Sequence, residues 1–205
     1  MNSQQRSLQE LQQIKQMMER SSKFISLSGL SGISAGICAL VGAWFASQKI
    51  HSLEGATLQN DLLLIAALTF AAAFISAFLF TYLRSKKTNI ALWGTTSIRL
   101  FINIAIPLLA GGLFLFRSMQ LGMYDLIAPG CLIFYGLALV NAAKYTLGEV
   151  RYLGYGQILL GVINLWLIDY GLYFWVAGFG LLHIIYGIMM WYKYERVNKN
   201  TFNND

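Results

Sequence analysis

Residues 24–46, FISLSGLSGISAGICALVGAWFA, form a run of 23 residues without a single charged side chain. An α-helix rises about 1.5 Å per residue, so a run of this length covers the roughly 30 Å hydrocarbon layer of a bilayer. A polar segment precedes the run, which is also longer than the apolar part of a cleaved signal peptide. The run therefore predicts an uncleaved membrane-spanning helix.

Similar runs recur along the chain, and the composition agrees with them. Hydrophobic residues make up 57% of the 205 residues and charged residues only 12%, which is too apolar for a soluble domain of this size. We predict an all-α polytopic membrane helix bundle: a cytoplasmic amphipathic leader helix over residues 1–23, a membrane domain over 24–192 and a cytoplasmic tail over 193–205. The six predicted transmembrane helices cover about 24–46, 62–83, 100–116, 126–145, 152–168 and 172–192.

The basic residues indicate which ends of the spans face the cytoplasm. Of the 15 lysines and arginines, all but Lys49 and Arg117 fall in the leader, in alternate connections or in the tail. The remaining connections contain the acidic residues Glu54, Asp61, Asp125 and Asp169. Basic residues are retained on the cytoplasmic side of a membrane, so both termini are predicted to be cytoplasmic. Because these residues are spread over helix ends and form no patch on a soluble domain, no nucleic acid partner is expected.

The leader carries a narrow apolar stripe at the spacing of one helix face, formed by Leu8, Leu11, Ile14 and Met18. Such a stripe docks on the chain's own cytoplasmic face, lies on the lipid headgroups, or binds a cytosolic or membrane protein. These alternatives stay open from the sequence. The partners that the sequence allows are the lipid bilayer, a protein bound through the leader, and a second copy of the chain.

Small residues are concentrated in the first span, where Gly29, Gly32 and Gly36 follow one another at intervals of three and four residues. Water does not drive helices together inside a bilayer, so close backbone approach at small residues is a main source of helix association. We therefore predict that these glycines pack against other helices and that the first span is central.

A set of polar residues lies inside the predicted spans, near the midplane or in the cytoplasmic half: Ser31, Asn103, Asn141, Gln157 and His183. Polar groups at this depth are unfavourable unless paired, and an ionisable one is a candidate functional residue. Two interpretations stay open, hydrogen bonds that hold helices together and a polar cavity that faces the cytoplasm. His183 is the member best suited to a site, because imidazole titrates near neutral pH.

The segment Gly29-Leu30-Ser31-Gly32, followed by a histidine in the sixth span, is similar to the GxSG motif and histidine of rhomboid intramembrane serine proteases. Rhomboids carry this motif on their fourth span, and residues 62–83 lack the polar His/Asn pair of the rhomboid second span. The sequence also lacks HExxH, P-loop and CxxC motifs and paired carboxylates within the spans. We therefore predict no enzyme activity.

Cys38 and Cys131 lie in separate apolar runs, away from further metal-ligating side chains. Their positions fit small packing residues better than a disulfide framework or a zinc site. No metal site and no cofactor are predicted.

Residues 14–36, IKQMMERSSKFISLSGLSGISAG, resemble the start of a group of small six-span bacterial inner-membrane proteins of uncharacterised activity. The resemblance covers the leader and the first span and implies a bacterial inner-membrane location. The sequence favours a signalling or scaffold protein that presents its leader helix and basic loops to a partner. The alternative is a small-solute or ion transporter or channel that uses the polar residues near His183, with helix breaks at Pro107 and Pro129 that permit motion.

Overall fold

A computed structural model of the chain describes residues 28–50, 55–88 and 94–196. Within these ranges the chain forms helices joined by short turns, and no strand occurs. The predicted all-α class is confirmed. The helices are α1 (Gly29–Ile50), α2 (Gly55–Thr88), α3 (Thr95–Gln120), α4 (Ile127–Ala142), α5 (Val150–Trp166) and α6, which begins with Gly171–Trp175.

Helix α6 changes its hydrogen-bonding pattern along its length. After Gly171–Trp175 it continues as a π-helical segment, Val176–Leu182, and returns to the α-helical pattern over His183–Trp191. A last π-helical segment covers Tyr192–Arg196. Each N–H of a π-helix bonds to the carbonyl five residues back, and such segments occur frequently at functional sites.

Within the described residues, five helical segments are long and apolar enough to cross a membrane. They are α1, α3, Thr57–Lys87 in α2, Tyr124–Ala142, which includes α4, and Ile168–Tyr194, which includes most of α6. Helix α5 has 17 residues, which corresponds to about 26 Å. The outward faces carry large apolar side chains such as Phe70, which is 69% exposed, and Leu113, which is 72% exposed. Such an apolar surface is favourable in contact with the hydrocarbon tails of lipids. By the length and composition of its helices the chain is a multi-pass membrane protein.

The helices pack in an antiparallel order. Helix α1 lies between α2 and α6, and α4 contacts α3, α5 and α6. Helices α2 and α3 each pack mainly against a single neighbour. The core of the bundle is therefore built from α1, α4, α5 and α6.

Glycines set the distance between these central helices. A Cβ added to Gly36 of α1 would lie 2.7 Å from the Gly180 carbonyl oxygen of α6. One added to Gly136 of α4 would lie 2.7 Å from the Gly154 carbonyl oxygen of α5. Backbones this close leave no room for a side chain, and they gain van der Waals contact along the whole interface.

The charged residues of the described ranges sort to the two ends of the bundle. The end at which α1 begins, here called the basic end, holds Arg84, Lys86, Lys87, Arg99, Lys144, Glu149, Arg151 and Lys193. The opposite end, here called the mixed-charge end, holds Lys49, Asp61, Arg117, Asp125 and Asp169. Lys49 and Asp61 form an ion pair there at 2.8 Å, which joins the ends of α1 and α2.

Helix bounds differ from the predicted spans mainly at polar ends. Helix α2 extends beyond the predicted 62–83 on both sides, because hydropathy marks only the part of a helix that lies in hydrocarbon. Helix α3 continues through Pro107. It ends in a turn where the Met123 N–H donates to the Ser118 carbonyl at 2.9 Å and Gly122 adopts φ 75°, a left-handed conformation that favours glycine.

Candidate functional site

His183 lies in the interior of the bundle, directly after the π-helical segment of α6. The residue is only 6% exposed. Its Nε2 atom lies 2.8 Å from the hydroxyl of Tyr135 on α4. Its Nδ1 atom lies 3.0 Å from the carbonyl oxygen of Gly178 in the π-helical segment. The imidazole therefore links α4 to the irregular turn of α6.

These partners assign the tautomer of His183. A carbonyl oxygen only accepts hydrogen bonds, so Nδ1 carries the ring hydrogen and donates it to Gly178. The neutral ring has its lone pair at Nε2, which accepts the hydrogen of the Tyr135 hydroxyl. In this state both ring nitrogens are used.

Gln157 of α5 completes the cluster and is 0% exposed. Its Nε2 donates to the same Gly178 carbonyl at 2.8 Å. This bond fixes the orientation of the amide, because the opposite orientation would set two oxygen atoms against each other. Nε2 also lies 3.4 Å from His183 Nδ1, but both atoms are donors in this arrangement. The Gln157 Oε1 atom is left buried without a hydrogen-bond partner.

Gly178 holds the cluster together through its backbone. Its carbonyl oxygen accepts one hydrogen bond from Gln157 and one from His183. The segment around it departs from the regular α-helical ladder, and such departures free backbone groups for other partners. A Cβ at this position would lie 2.6 Å from Gln157 Oε1, so only glycine leaves the space that the amide occupies.

Asn164 repeats the arrangement of Gln157 further along α5, toward the mixed-charge end. It is 0% exposed, and its Nδ2 donates to the Leu167 carbonyl at 2.8 Å. Its Oδ1 atom is buried without a partner. Seven residues correspond to about 10 Å and nearly two full turns of a helix, so both amides lie on one face of α5.

Tyr186 continues the polar groups in the other direction, toward the basic end. It lies about one turn after His183 on α6 and packs in one cluster with Val150 and Leu153 of α5. Its buried hydroxyl has no hydrogen-bond partner. Glu149 lies in the turn before α5, directly before Val150 of the same cluster.

Glu149 is held at the basic end by two side chains from the end of α6. The Tyr194 hydroxyl donates to Glu149 Oε1 at 2.8 Å, and Lys193 forms an ion pair with the same oxygen. Partial burial raises the pKa of the Glu149 carboxyl, but hydrogen bonds from Lys193 and Tyr194 outweigh this effect and hold the pKa below its usual value. The charged carboxylate therefore fastens the end of α6 to the turn between α4 and α5.

Together these side chains form a series along the interface of α5 with α4 and α6. We call this series the polar line: Asn164, Gln157, His183, Tyr186 and Glu149. In the part of the chain that the structure describes, the buried side-chain polar atoms without a hydrogen-bond partner are Gln157 Oε1, Asn164 Oδ1 and the Tyr186 hydroxyl. All of them belong to the polar line.

Among the predicted site residues, the structure brings Gln157 and His183 together. Ser31 lies on α1, where its hydroxyl donates to the Ser28 carbonyl of the same chain segment. Gly32 approaches the backbone of His183, since a Cβ there would lie 3.2 Å from the His183 carbonyl oxygen. The imidazole instead bonds on the side of α4, so the serine and the histidine of the GxSG pattern share no hydrogen bond.

Asn103 and Asn141 also lie apart from the His183 cluster. Asn103 donates to the Arg99 carbonyl within α3 at 2.8 Å. Helix α3 packs mainly against α4. Because few groups of other helices lie near it, Asn103 forms its hydrogen bond with the backbone of its own helix. Asn141 is half-buried near the end of α4, about 9 Å along that helix from Tyr135.

The predicted packing glycines lie where α1 meets α6. A Cβ on Gly29 would lie 2.5 Å from the Gly187 carbonyl oxygen, and one on Gly32 would lie 3.1 Å from the Gly187 Cα atom. Gly36 makes its close approach at Gly180, about two turns before Gly187 in α6. The predicted partner face of the leader, formed by Leu8, Leu11, Ile14 and Met18, lies outside the described residues.

Sequence reasoning missed Tyr135 and Gly178. A tyrosine in an apolar run looks like a core residue or an interfacial anchor. Its distance from both ends of the span is the signal that would have identified it, because interfacial tyrosines lie at helix ends and a buried hydroxyl needs a partner. Gly178 acts through its carbonyl oxygen, which no side-chain pattern marks.

Within the described residues no group of three or more histidine, cysteine or acidic side chains is placed to hold a metal ion. Comparison with known proteins finds no matching family model, no matching curated protein and no matching solved structure. The fold and the site alone define the class: a multi-pass α-helical membrane protein with a buried polar series between α4, α5 and α6.

Proposed function

We propose that the protein is a transporter for a small polar solute, and that its pathway follows the polar line. The observation that supports this proposal is the position of the unpaired atoms Gln157 Oε1, Asn164 Oδ1 and the Tyr186 hydroxyl. An unpaired polar atom inside a membrane protein is unfavourable by several kcal/mol. A solute that hydrogen-bonds to these atoms offsets that free energy, whereas side chains that only hold helices together are paired with one another.

In this proposal the part of the pathway that moves is Val176–Leu182, which has π-helical hydrogen bonding. Gln157 and His183 are almost fully buried, so the cluster is occluded in this conformation. Both side chains are held by one backbone carbonyl, that of Gly178. A local change from π-helical to α-helical bonding displaces this carbonyl and releases both side chains, as discontinuous helices do in other transporters.

The orientation of the pathway follows from the charges at its ends. We place the basic end in the cytoplasm of a bacterial cell and the mixed-charge end outside the inner membrane. The ion pair of Glu149 with Lys193 then lies at the cytoplasmic end, and Asn164 lies near the outer end. The signalling or scaffold hypothesis remains a prediction, because it depends on the leader, which lies outside the described residues.

Thiol labelling tests whether the polar line is reached by water. In a background with Cys38→Ala and Cys131→Ala, we expect Gln157→Cys to react with iodoacetamide or with a charged methanethiosulfonate in proteoliposomes. Only the thiolate reacts, and a thiolate forms only where water reaches the side chain.

The matched control is Leu159→Cys, two residues further along α5. Leu159 is 60% exposed on the outer surface of the bundle, where lipid keeps a thiol protonated and unreactive. A Gln157→Cys side chain that resists both reagents as fully as Leu159→Cys does would contradict the transport proposal.

A further inference from the structure

We propose that the transported solute is uncharged and binds as a hydrogen-bond donor, which is the chemistry of urea and other small amides. This inference rests on the proposed transport function and names the substrate class of the same pathway. The evidence for it is that some polar atoms of the polar line are already hydrogen-bonded, whereas others are left unpaired.

The unpaired amide atoms of the polar line are acceptors. Gln157 binds the Gly178 carbonyl through its nitrogen, and Asn164 binds the Leu167 carbonyl through its nitrogen. Each backbone carbonyl can only accept, so it fixes the amide with its nitrogen inward and its oxygen unpaired. A ligand that satisfies these oxygens has to donate N–H or O–H groups.

The polar line does not favour a charged solute. Its buried members are two amides, a neutral imidazole and a tyrosine hydroxyl, and the carboxylate of Glu149 at the basic end is already bonded to Lys193 and Tyr194. A cation would lose its hydration with no counter-charge beside it, which is strongly unfavourable in a membrane interior. The nitrogen donors of both amides already bind backbone carbonyls, so they are not available to an anion.

The spacing of the two oxygens limits the size of the solute. Gln157 and Asn164 are about 10 Å apart along the axis of α5, and between them Gly161 packs closely on α4, where a Cβ would lie 2.9 Å from the Pro129 carbonyl oxygen. One small molecule does not reach both oxygens, so the solute binds them in succession. Urea and acetamide are short enough for this, and each of their amide nitrogens carries two N–H donors.

Stopped-flow light scattering of proteoliposomes that contain the full-length protein tests the substrate class. After mixing with a urea gradient, we expect vesicles with the protein to re-swell faster than protein-free vesicles. In a methylammonium chloride gradient, the same two vesicle preparations should behave alike. This comparison needs no variant and therefore does not depend on how a substitution folds.

Two variants then test whether urea entry depends on Gln157. Gln157→Met keeps the length of the side chain and removes the unpaired acceptor together with the hydrogen bond to Gly178, and we expect it to slow urea entry about tenfold, the effect of one lost hydrogen bond to the solute. Leu159→Met, on the lipid-facing side of α5, should leave the rate unchanged. Equal rates for the two variants would overturn the inference.

The remaining outcomes separate the substrate class from transport itself. Urea entry no faster than in protein-free vesicles, or methylammonium entry faster than urea entry, overturns the assignment of an uncharged donor. Transport still stands in both cases if Gln157→Cys reacts with thiol reagents. An unreactive Gln157→Cys removes the pathway, and the substrate class with it.

Discussion

A His183→Leu variant is expected to lose transport and about 2 to 3 kcal/mol of stability. The imidazole bonds the Tyr135 hydroxyl at 2.8 Å and the Gly178 carbonyl at 3.0 Å, and leucine replaces neither bond. Hydrogen bonds between transmembrane helices contribute about 0.6 to 2 kcal/mol each, and a buried hydroxyl left without a partner adds to the loss. Unfolding by SDS in mixed micelles measures the stability, and solute entry into proteoliposomes measures the activity.

Tyr135→Phe provides the matched variant for this prediction. In a double-mutant cycle, the double variant should lose less stability than the sum of the two single losses, because the second substitution removes the group that the first left unpaired. The expected coupling is about 1 kcal/mol. Strictly additive losses would show that Tyr135 and His183 do not interact, contrary to the 2.8 Å hydrogen bond.

A Gly136→Ala variant is expected to destabilise the bundle by about 2 kcal/mol, within the range for overpacked interiors. The added Cβ would lie 2.7 Å from the Gly154 carbonyl oxygen and 2.9 Å from the Ile158 backbone nitrogen. Both are backbone atoms of α5 and cannot rotate away, so α4 and α5 have to separate. Gln157 precedes Ile158 directly, and transport should fall with stability. Thermal unfolding in detergent reports the shift.

Gly112→Ala on α3 is the control for this substitution. A Cβ at Gly112 meets no atom within 4 Å, and alanine is a better helix former than glycine by about 1 kcal/mol. This variant should therefore be as stable as the natural protein or more stable. If Gly136→Ala unfolds at the same temperature as Gly112→Ala, the close packing of α4 on α5 is contradicted.

The helical class and the number of long helices in the described residues were accessible from the sequence for a simple physical reason. In lipid every backbone polar group has to be satisfied within its own segment, so a long uncharged run such as 24–46 can only be a helix. Helix ends were less accessible, since α2 continues to Thr88 through residues that no longer lie in hydrocarbon. Hydropathy detects the membrane and not the hydrogen bonds that end a helix.

The candidate site was accessible only in part, because a single sequence does not show which helices are neighbours. Gln157 and His183 stand out as polar residues in apolar runs, and they do meet, at the carbonyl oxygen of Gly178. Asn103 has the same signature, but α3 lies at the edge of the bundle, so its side chain bonds its own helix. Tyr135 belongs to the cluster through packing that its residue type does not reveal.

The backbone of α6 was the least accessible part. The segment Val176–Leu182 contains Gly178 and Gly180, and glycines in a transmembrane run usually indicate close packing. Gly180 does pack against Leu40 of α1. Nothing in the residue pattern shows that the same segment adopts π-helical bonding, or that the Gly178 carbonyl accepts two side-chain hydrogen bonds.

An experimental structure of the protein in lipid, at a resolution that shows ordered water, tests the pathway most directly. We expect non-protein density within about 3 Å of Gln157 Oε1 and of Asn164 Oδ1, the two amide oxygens that have no partner. The contradicting result is that both oxygens are bonded to protein groups in a dry, closely packed interface. The polar line would then be helix-packing chemistry alone, and the bundle would contain no route for a solute.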